Sequence, residues 1–568
     1  MFRIALAQVN PVVGDLRGNA DRILDFARRA AEKGADLVCF PELALTGYPP
    51  EDLVFRRSFV EDNLAELDRL AREAPGLALV VGYVDRGAGE DRRARNSAAL
   101  IQGQRVTARY HKILLPNYDV FDEQRYFEPG DACPVVDVGG VPIGLMVCED
   151  IWFREGPARE QAMSGARVLV NLNASPYSVG KRELRERMLV RRALENGVFI
   201  SYTNMVGGQD ELIFDGGSLV FGPDGRMLAR APQFEEALLL ADLDVSDAAR
   251  AAGGARATAP PDVVPTAAIT VASRRPLGYD VAPTLEVEEE VYGALVLAVR
   301  DYVRKNGFKD VVIGLSGGID SSLVATIAAD ALGAAHVLGV MMPSRYSSEG
   351  SVSDAESLAR ALGIRTEMIP IEAPFAATME LLEKLLGEGA HGLTEENLQA
   401  RIRGNLLMAI SNARGSLVLT TGNKSEMSTG YSTLYGDMAG GFAVIKDIEK
   451  TLVFRLCSWR NDRGERDVIP RWVIAKPPSA ELRPNQRDTD SLPPYAVLDP
   501  ILRGYVEEDL PVEEIAARGF DAPLVRRVME MVDRNEYKRR QAPPGPRITH
   551  RGLGKDRRMP ITSKYRER

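Results

Sequence analysis

A chain of 568 residues exceeds what one hydrophobic core ordinarily spans, so two or three domains are expected. With 45% hydrophobic and 27% charged residues it has the make-up of a soluble globular protein, and no apolar run is long enough for a membrane span. A net charge of −9 argues against whole-protein affinity for nucleic acid or an anionic membrane. The cysteines, Cys39, Cys133, Cys148 and Cys457, form no CxxC pair and no disulfide framework, and the four histidines are equally dispersed, so a reduced, cytoplasmic chain without a zinc site is expected.

In chain order, FRIALAQV is a strand, and the opening residues read as strand and turn, not as a signal peptide. NADRILDFARRAAEKG sets Ile23, Leu24, Phe26 and Ala27 on one helical stripe and stops at Gly34; ADLVCF returns as a strand. LALVVGYV, SAALIQ, RVTARYHK, VPIGLMV, RVLVNLN, VFISYTN and GGSLVFG are further sheet segments, and DIWFREGPAREQAM continues from VPIGLMV as helix. Residues 1–250 thus read as a strand-rich α+β or layered α/β domain. Residues 251–283, rich in Ala, Gly and Pro without helical period, read as a linker. From 284 to 568, the helix LEVEEEVYGALVLAVRDYVRKNG leads into strands VVIGL, HVLGVMMP, RTEMIPI and LVLTTG. Between them lie the helices SSLVATIAADALG and SDAESLARALG and helical residues up to Ala413, an alternation that predicts a doubly wound parallel sheet.

VPIGLMV delivers Cys148 to a strand end, directly ahead of Glu149 and Asp150. Only the thiolate is a good nucleophile, and neighbouring carboxylates oppose its formation, although the amino end of a following helix offsets part of that. Alone, Cys148 reads as a buried structural thiol. Two other strand ends change the picture: ADLVCF leads to Glu42 in a Pro-led turn, and RVTARYHK ends on Lys112. Singly these are a solvated turn acid and a surface cation. Together they supply a base for the thiol proton and a cation for a thiolate and an oxyanion.

FPELALTGYPPEDL, HKILLPNYDVFDEQRYFEPG and VCEDIWF, in that order, resemble the Glu-Lys-Cys signature of the nitrilase superfamily of carbon–nitrogen hydrolases, over about the first 245 residues. The resemblance implies an α-β-β-α sandwich in which Glu42 is the general base, Cys148 attacks an amide carbonyl, Lys112 partners the oxyanion and Glu128 is a second acid. It further implies that Tyr118, Ser175 and Lys181 hold a glutamine, Lys181 taking the α-carboxylate where some relatives have Arg.

VVIGLSGGIDSS is the sharpest stretch of the second half. A buried strand runs into Ser316-Gly317-Gly318, whose small residues let backbone amides approach an anion, and Asp320, Ser321 and Ser322 open a helix. It is neither a Walker A loop nor GxGxxG. Short of a merely glycine-rich helix start, it resembles the PP-loop of N-type ATP pyrophosphatases, of the adenine nucleotide alpha-hydrolase type. MMPSRYSSEGS, ENLQARIRGN, LTTGNKSEMSTGYSTLYGD and PPSAELRPNQRD then look like the NAD synthetase family, closest to its long, glutamine-dependent form.

That resemblance implies ATP as co-substrate, contacted by Gly314, Leu315, Ser316, Gly317, Gly318, Ile319, Asp320 and Ser321 together with Thr421. It implies Mg²⁺ held by Asp320 and Glu426, and deamido-NAD contacted by Asn397, Glu426 and Lys538. The chain departs from the family at Leu434, where standalone ammonia-using relatives carry Lys, and at Glu449, where many have Pro. The tail from Arg534 to Arg568 holds twelve Lys or Arg against three Asp or Glu, read here as neutralising substrate phosphates or making a subunit contact. The expected partners are small molecules, namely glutamine, ATP and deamido-NAD, with neither nucleic acid nor membrane, and the resemblance implies a homo-oligomer. Two rivals are another glutamine-dependent ATP-pyrophosphatase amidotransferase, and a nitrilase-type amidohydrolase whose second half senses a nucleotide.

Overall fold

A computed structural model describes residues 1–88, 93–246, 276–278, 280–464 and 466–565. It divides into two compact units, Met1–Gln209 with Ile213–Leu285, and Asp210–Leu212 with Glu286–Arg568. Of the expected linker, 251–275 and 279 lie outside the described residues.

The first unit carries β1 (Phe2–Gln8), β2 (Leu37–Cys39), β3 (Ala78–Asp85), β4 (Arg95–Gln102), β5 (Arg105–His111), β6 (Val135–Val138), β7 (Val141–Val147) and β8 (Val168–Asn173). It continues with β9 (Phe199–Asn204), β10 (Val206–Gln209), β11 (Leu212–Asp215), β12 (Leu219–Phe221), β13 (Met227–Arg230), β14 (Ala237–Leu243) and β15 (Asp280–Val281). Two large sheets result, ordered β14-β1-β2-β3-β4-β5 and β15-β13-β12-β9-β8-β7-β6, beside a two-stranded sheet β10-β11. Both are mixed: β1–β2–β3 and β7–β8–β9 run parallel, while β1–β14, β3–β4 and β6–β7 are antiparallel.

The inner strands β1, β3, β7 and β8 are buried nearly throughout because both faces are covered. Alternate residues such as Ile4, Leu6 and Val80 meet Leu145, Val147 and Val170 of the other sheet in one inner layer. The residues between them, Ala5, Ala7, Val38 and Leu79, lie under Ile23, Leu24, Phe26 and Ala27, the stripe legible in the sequence, on helix Leu16–Glu32. Met146, Leu169 and Ile200 of the second sheet lie under Leu189 and Ala193 of helix Lys181–Asn196. This is an α-β-β-α sandwich. The helix expected over DIWFREGPAREQAM is instead a short 3₁₀ turn, Cys148–Ile151, and a separate helix, Pro157–Met163. Pro157 has no N–H to give a helix interior and sits at the first helical position.

The second unit holds β16 (Val311–Gly314), β17 (Val337–Met341), β18 (Arg365–Met368), β19 (Leu417–Thr420) and β20 (Phe442–Ala443), all parallel, in the order β18-β17-β16-β19-β20. The strand RTEMIPI stops at Met368, short of Pro370, which has no donor for the ladder. Strand order reverses between β16 and β19, the position where doubly wound sheets open a crevice at their carboxyl ends. A helical layer that the sequence reading did not resolve follows, packed through Leu498, Ile501, Val506, Ile515, Val525 and Val528. No described helix is long and apolar enough to cross a membrane.

Candidate active sites

In the first unit, three strand ends converge. Cys148 follows β7 at φ +48, a left-handed conformation that costs a non-glycine residue on the order of 1–2 kcal/mol and is held by its surroundings. Glu42, in the turn after β2, accepts from Lys112 Nζ at 2.8 Å and Asn96 Nδ2 at 2.7 Å through Oε1, and from the Ala174 N–H at 2.9 Å through Oε2. Lys112 also donates to Glu123 Oε1 at 2.9 Å, which takes the Tyr48 hydroxyl at 2.9 Å. Glu42, Lys112, Glu123 and Cys148 are all buried. Gly82 of β3 leaves room for the Pro41–Leu43 backbone, which a Cβ there would strike.

Burial, followed by the Glu42 charge, pushes the Cys148 thiol well above its usual range, with Lys112 opposing. Burial disfavours the Lys112 cation too, but the Glu123 and Glu42 carboxylates outweigh it and hold the ammonium protonated. Glu123 itself is raised by burial to about 7. Glu123, not Glu128, is therefore the second acid on the lysine; Glu128 is engaged by Arg95 Nε at 2.7 Å and by the Ala88 N–H. The helix-dipole contribution expected for the thiol shrinks with the helix, since the turn after Cys148 is only four residues long.

Beside the thiol, the half-exposed Tyr118 donates to Glu149 at 2.9 Å, and the Lys181 ammonium lies 4.8 Å from the Trp152 ring centroid. Burial raises the Glu149 carboxyl, with the Tyr118 hydrogen bond, Lys112 and Lys181 opposing. Ser175 is buried, its N–H on Asn204 Oδ1 at 3.0 Å. Tyr118 and Lys181 are thus gathered around Glu149, which the sequence presented only as a charge hostile to the thiol.

In the second unit, a cavity at the carboxyl ends of β16, β17 and β19 is lined by Gly314, Leu315, Ser316, Asp320, Ser321, Thr421 and Glu426. Gly317 takes φ +74, and a Cβ there would collide with the Ser351 carbonyl, so the turn requires glycine. Gly318 caps the helix Ile319–Leu332 and its N–H meets Ser316 Oγ at 3.2 Å, while Ile319 is buried. Lys450 lies between two carboxylates, in contact with Asp320 and 3.2 Å from Glu426 Oε1; Asn423 Nδ2 donates to Asp320 Oδ1 at 2.9 Å. Burial raises Glu426 to about 8, against the pull of Lys450. Asn397 Oδ1 accepts from Thr433 at 2.8 Å and Lys538 Nζ donates to the Gly430 and Ser432 carbonyls at 2.8 and 2.9 Å. Both side chains thus hold the 430–437 loop, whose Tyr431, Ser432, Gly436 and Asp437 line the same cavity.

Comparison with known proteins matches the carbon-nitrogen hydrolase family model over residues 3–252 and the NAD synthase family model over 291–542. The chain is 48% identical over 575 residues to the glutamine-dependent NAD(+) synthetase of Thermotoga maritima, covering 100% of this chain and 99% of that one. It is 45% identical over 576 residues to that of Aquifex aeolicus, covering 100% of both. The chain belongs to the glutamine-dependent NAD(+) synthetases. Among solved structures, the Acinetobacter baumannii glutamine-dependent NAD+ synthetase in complex with ADP aligns with a TM-score of 0.75 at 42% identity, over 99% of this chain and 98% of that one. The Cytophaga hutchinsonii synthetase aligns with a TM-score of 0.82 at 22% identity over 99% and 98%, a likeness of fold. A glutamine-dependent NAD synthetase carries a glutaminase and a NAD synthase domain in one ligase, as here, and neither rival reading accounts for both halves.

Within this synthetase, the sequence reading missed Lys450, Asn423 and Glu123. Lys450 opens helix Lys450–Asp462 one residue after Glu449, and no spacing distinguishes it from an ordinary helix-start lysine. Several arginines of the basic tail are taken up by carboxylates, whereas Lys538 meets the Gly430 and Ser432 carbonyls. Arg539, Arg540 and Arg557 meet Glu536 at 2.9, 3.0 and 3.1 Å, Arg547 meets Asp556 at 2.8 Å, and Arg551 meets Asp509. Among the described residues no cluster of three or more His, Cys, Asp or Glu is placed to hold a metal. Asp320 and Glu426 on one cavity nonetheless offer the oxygen donors that a hard cation shares with phosphates and water.

Proposed function

We propose that the first unit hydrolyses glutamine to glutamate and ammonia, and that the second uses ATP to adenylylate the nicotinate carboxylate of deamido-NAD, ammonia then displacing AMP to give NAD. The convergence of Glu42, Lys112 and Cys148 carries the first half of this reading.

Because burial keeps the Cys148 thiol neutral, Glu42 takes its proton as the sulfur attacks the amide, not beforehand. Lys112, held between Glu42 and Glu123, is the cation toward which the oxyanion develops. Glu42 then passes its proton to the departing ammonia, and later draws one from the water that opens the thioester. Glu149 is the carboxylate for the substrate's α-ammonium, Lys181 the cation for its α-carboxylate, and Tyr118 and Ser175 its polar neighbours. Burial, opposed by Lys112, raises Glu123 to about 7, which lessens the repulsion between the two acids on Lys112.

In the second unit a carboxylate must be activated, because it is a poor electrophile until its oxygen can leave as AMP. The Gly314–Ser321 turn offers backbone amides to the ATP phosphates, with Thr421 beside them, and Lys450 sets a cation against Asp320 and Glu426, which line the same cavity. Asp320 and Glu426 would hold Mg²⁺, which shields phosphate charge when bound. Glu426, Asn397 and Lys538 are assigned to the dinucleotide. Free thiols suit a cytoplasmic setting, and the exposed Leu381, Leu385 and Leu393 offer apolar surface for a homo-oligomer. The test is product balance: NAD, AMP and pyrophosphate should form in equal amounts from deamido-NAD, ATP and glutamine. Glutamine hydrolysis without pyrophosphate release would overturn the assignment.

A further inference from the structure

Asp150 follows the nucleophile by two residues and has no part in the chemistry above, yet it is fully buried and accepts four hydrogen bonds. Oδ1 takes the N–H groups of Ile113 at 3.2 Å and Leu114 at 2.8 Å, the two residues directly after Lys112. Oδ2 takes the Val147 N–H at 3.1 Å, directly before Cys148, and the Tyr110 hydroxyl at 2.8 Å, two residues before Lys112. Among the described residues no lysine, arginine or histidine pairs with it within ion-pair distance; its hydrogen bonds come from backbone and hydroxyl donors, with the Lys112 cation acting from farther off.

The two segments it joins belong to different sheets: Tyr110 lies on β5 of the six-stranded sheet, and Val147 ends β7 of the seven-stranded one. Most of the inner layer between these sheets is apolar, and apolar packing is non-directional, so direction comes from the hydrogen bonds that cross it, those from the Ala174 N–H to Glu42 and from the Ser218 N–H to Gln8 among them. Hydrogen bonds are directional, and of the four to Asp150, three bracket Lys112 and the fourth comes from the residue directly before Cys148. We propose that Asp150 is a positioning residue: it fixes the Lys112 ammonium of one sheet against the Cys148 sulfur of the other, and so sets where the oxyanion meets its cation.

A carboxylate is needed for this. An Asn of the same shape presents Nδ2 where Oδ2 now accepts, leaving the Val147 N–H facing a second donor. The proposal rests on the roles given above to Cys148 and Lys112. Those stand or fall separately, on glutamine hydrolysis by the parent protein and its loss in Cys148→Ala.

The experiment compares two reactions of the same sulfur in the full chain, with ATP and deamido-NAD saturating. Glutamine hydrolysis forms an oxyanion. Alkylation by iodoacetamide displaces iodide from carbon, forming a C–S bond with no oxyanion. In Asp150→Asn, a displacement of Lys112 by a fraction of an ångström should lower kcat for hydrolysis by roughly 10²-fold, while the alkylation rate falls by less than about fivefold. Tyr110→Phe removes one of the four bonds without touching the backbone and should lower hydrolysis by roughly 5–10-fold with alkylation unchanged. Ammonium-driven NAD formation should persist in both. Hydrolysis near the parent rate in both variants overturns the proposal, as does an equal fall of hydrolysis and alkylation. Should Asp150→Asn fail to fold, Tyr110→Phe decides on the same two criteria.

Discussion

Replacing Lys112 by methionine removes a charge, keeps most of the stem, and leaves Glu42 and Glu123 buried without their cation. In the parent the ammonium lies 2.8 Å from Glu42 Oε1 and 2.8 Å from Glu123 Oε2, with side-chain exposures of 1%, 0% and 4%, so solvent screens neither pair. Removing one partner of a buried ion pair costs about 3–5 kcal/mol. In a domain of this size each kcal/mol lowers the midpoint by about 2–4 °C, so calorimetry should show the first unit unfolding about 6–20 °C earlier. Loss of the oxyanion donor should separately reduce glutamine hydrolysis by roughly 10²–10³-fold. The two effects come apart in Lys112→Met/Glu123→Gln, where one carboxylate is gone and Glu42 keeps Asn96 and the Ala174 N–H. That protein should regain most of the midpoint and none of the hydrolysis. A Lys112→Met chain that melts with the parent would refute the energetic argument, and hydrolysis regained by the double variant would refute the catalytic one.

In the second unit, Asp320→Asn should reduce pyrophosphate release by at least about 10²-fold and leave glutamine hydrolysis within a few-fold, measured side by side; equal loss of both would contradict the separation of sites. Lys450→Met, which strips the cation from Asp320 and Glu426, should behave alike. Gly317→Ala should abolish ATP turnover at normal glutamine hydrolysis, because φ +74 and the Ser351 carbonyl leave no room for a methyl group. Burial raises Glu426 from 4.5 to about 8, so across that window the folded chain keeps a proton the unfolded chain releases, and stability falls as pH rises. In metal-free buffer Glu426→Gln should flatten that fall; an unchanged slope in denaturant melts would count against it.

The meeting of Glu42, Lys112 and Cys148 was legible because each member stands at the end of a strand, and strand ends are where a layered sheet gathers polar side chains. The parallel sheet was legible too, since helix and strand periods alternate cleanly from Val311 to Leu419. What failed were choices between near-equivalent residues. Glu123 and Glu128 share one stretch, and only the single turn Glu123–Tyr126 decides which reaches Lys112. Lys450 has no motif of its own and acquires meaning only when helix Lys450–Asp462 brings it to Asp320. The lost helix after Cys148 was a reading carried through Gly156-Pro157, where the chain itself signals a break. The inter-sheet role of Asp150 depends on which backbone amides face it, and that is invisible before the sheets are stacked.

The division of labour between the two units is tested most directly by NAD formation in a Cys148→Ala protein supplied with either glutamine or high ammonium. The account predicts that glutamine-driven formation disappears while ammonium-driven formation stays within about twofold of the parent, as for independent sites. Comparable loss with both nitrogen sources, or glutamine-driven formation surviving without the sulfur, would contradict it.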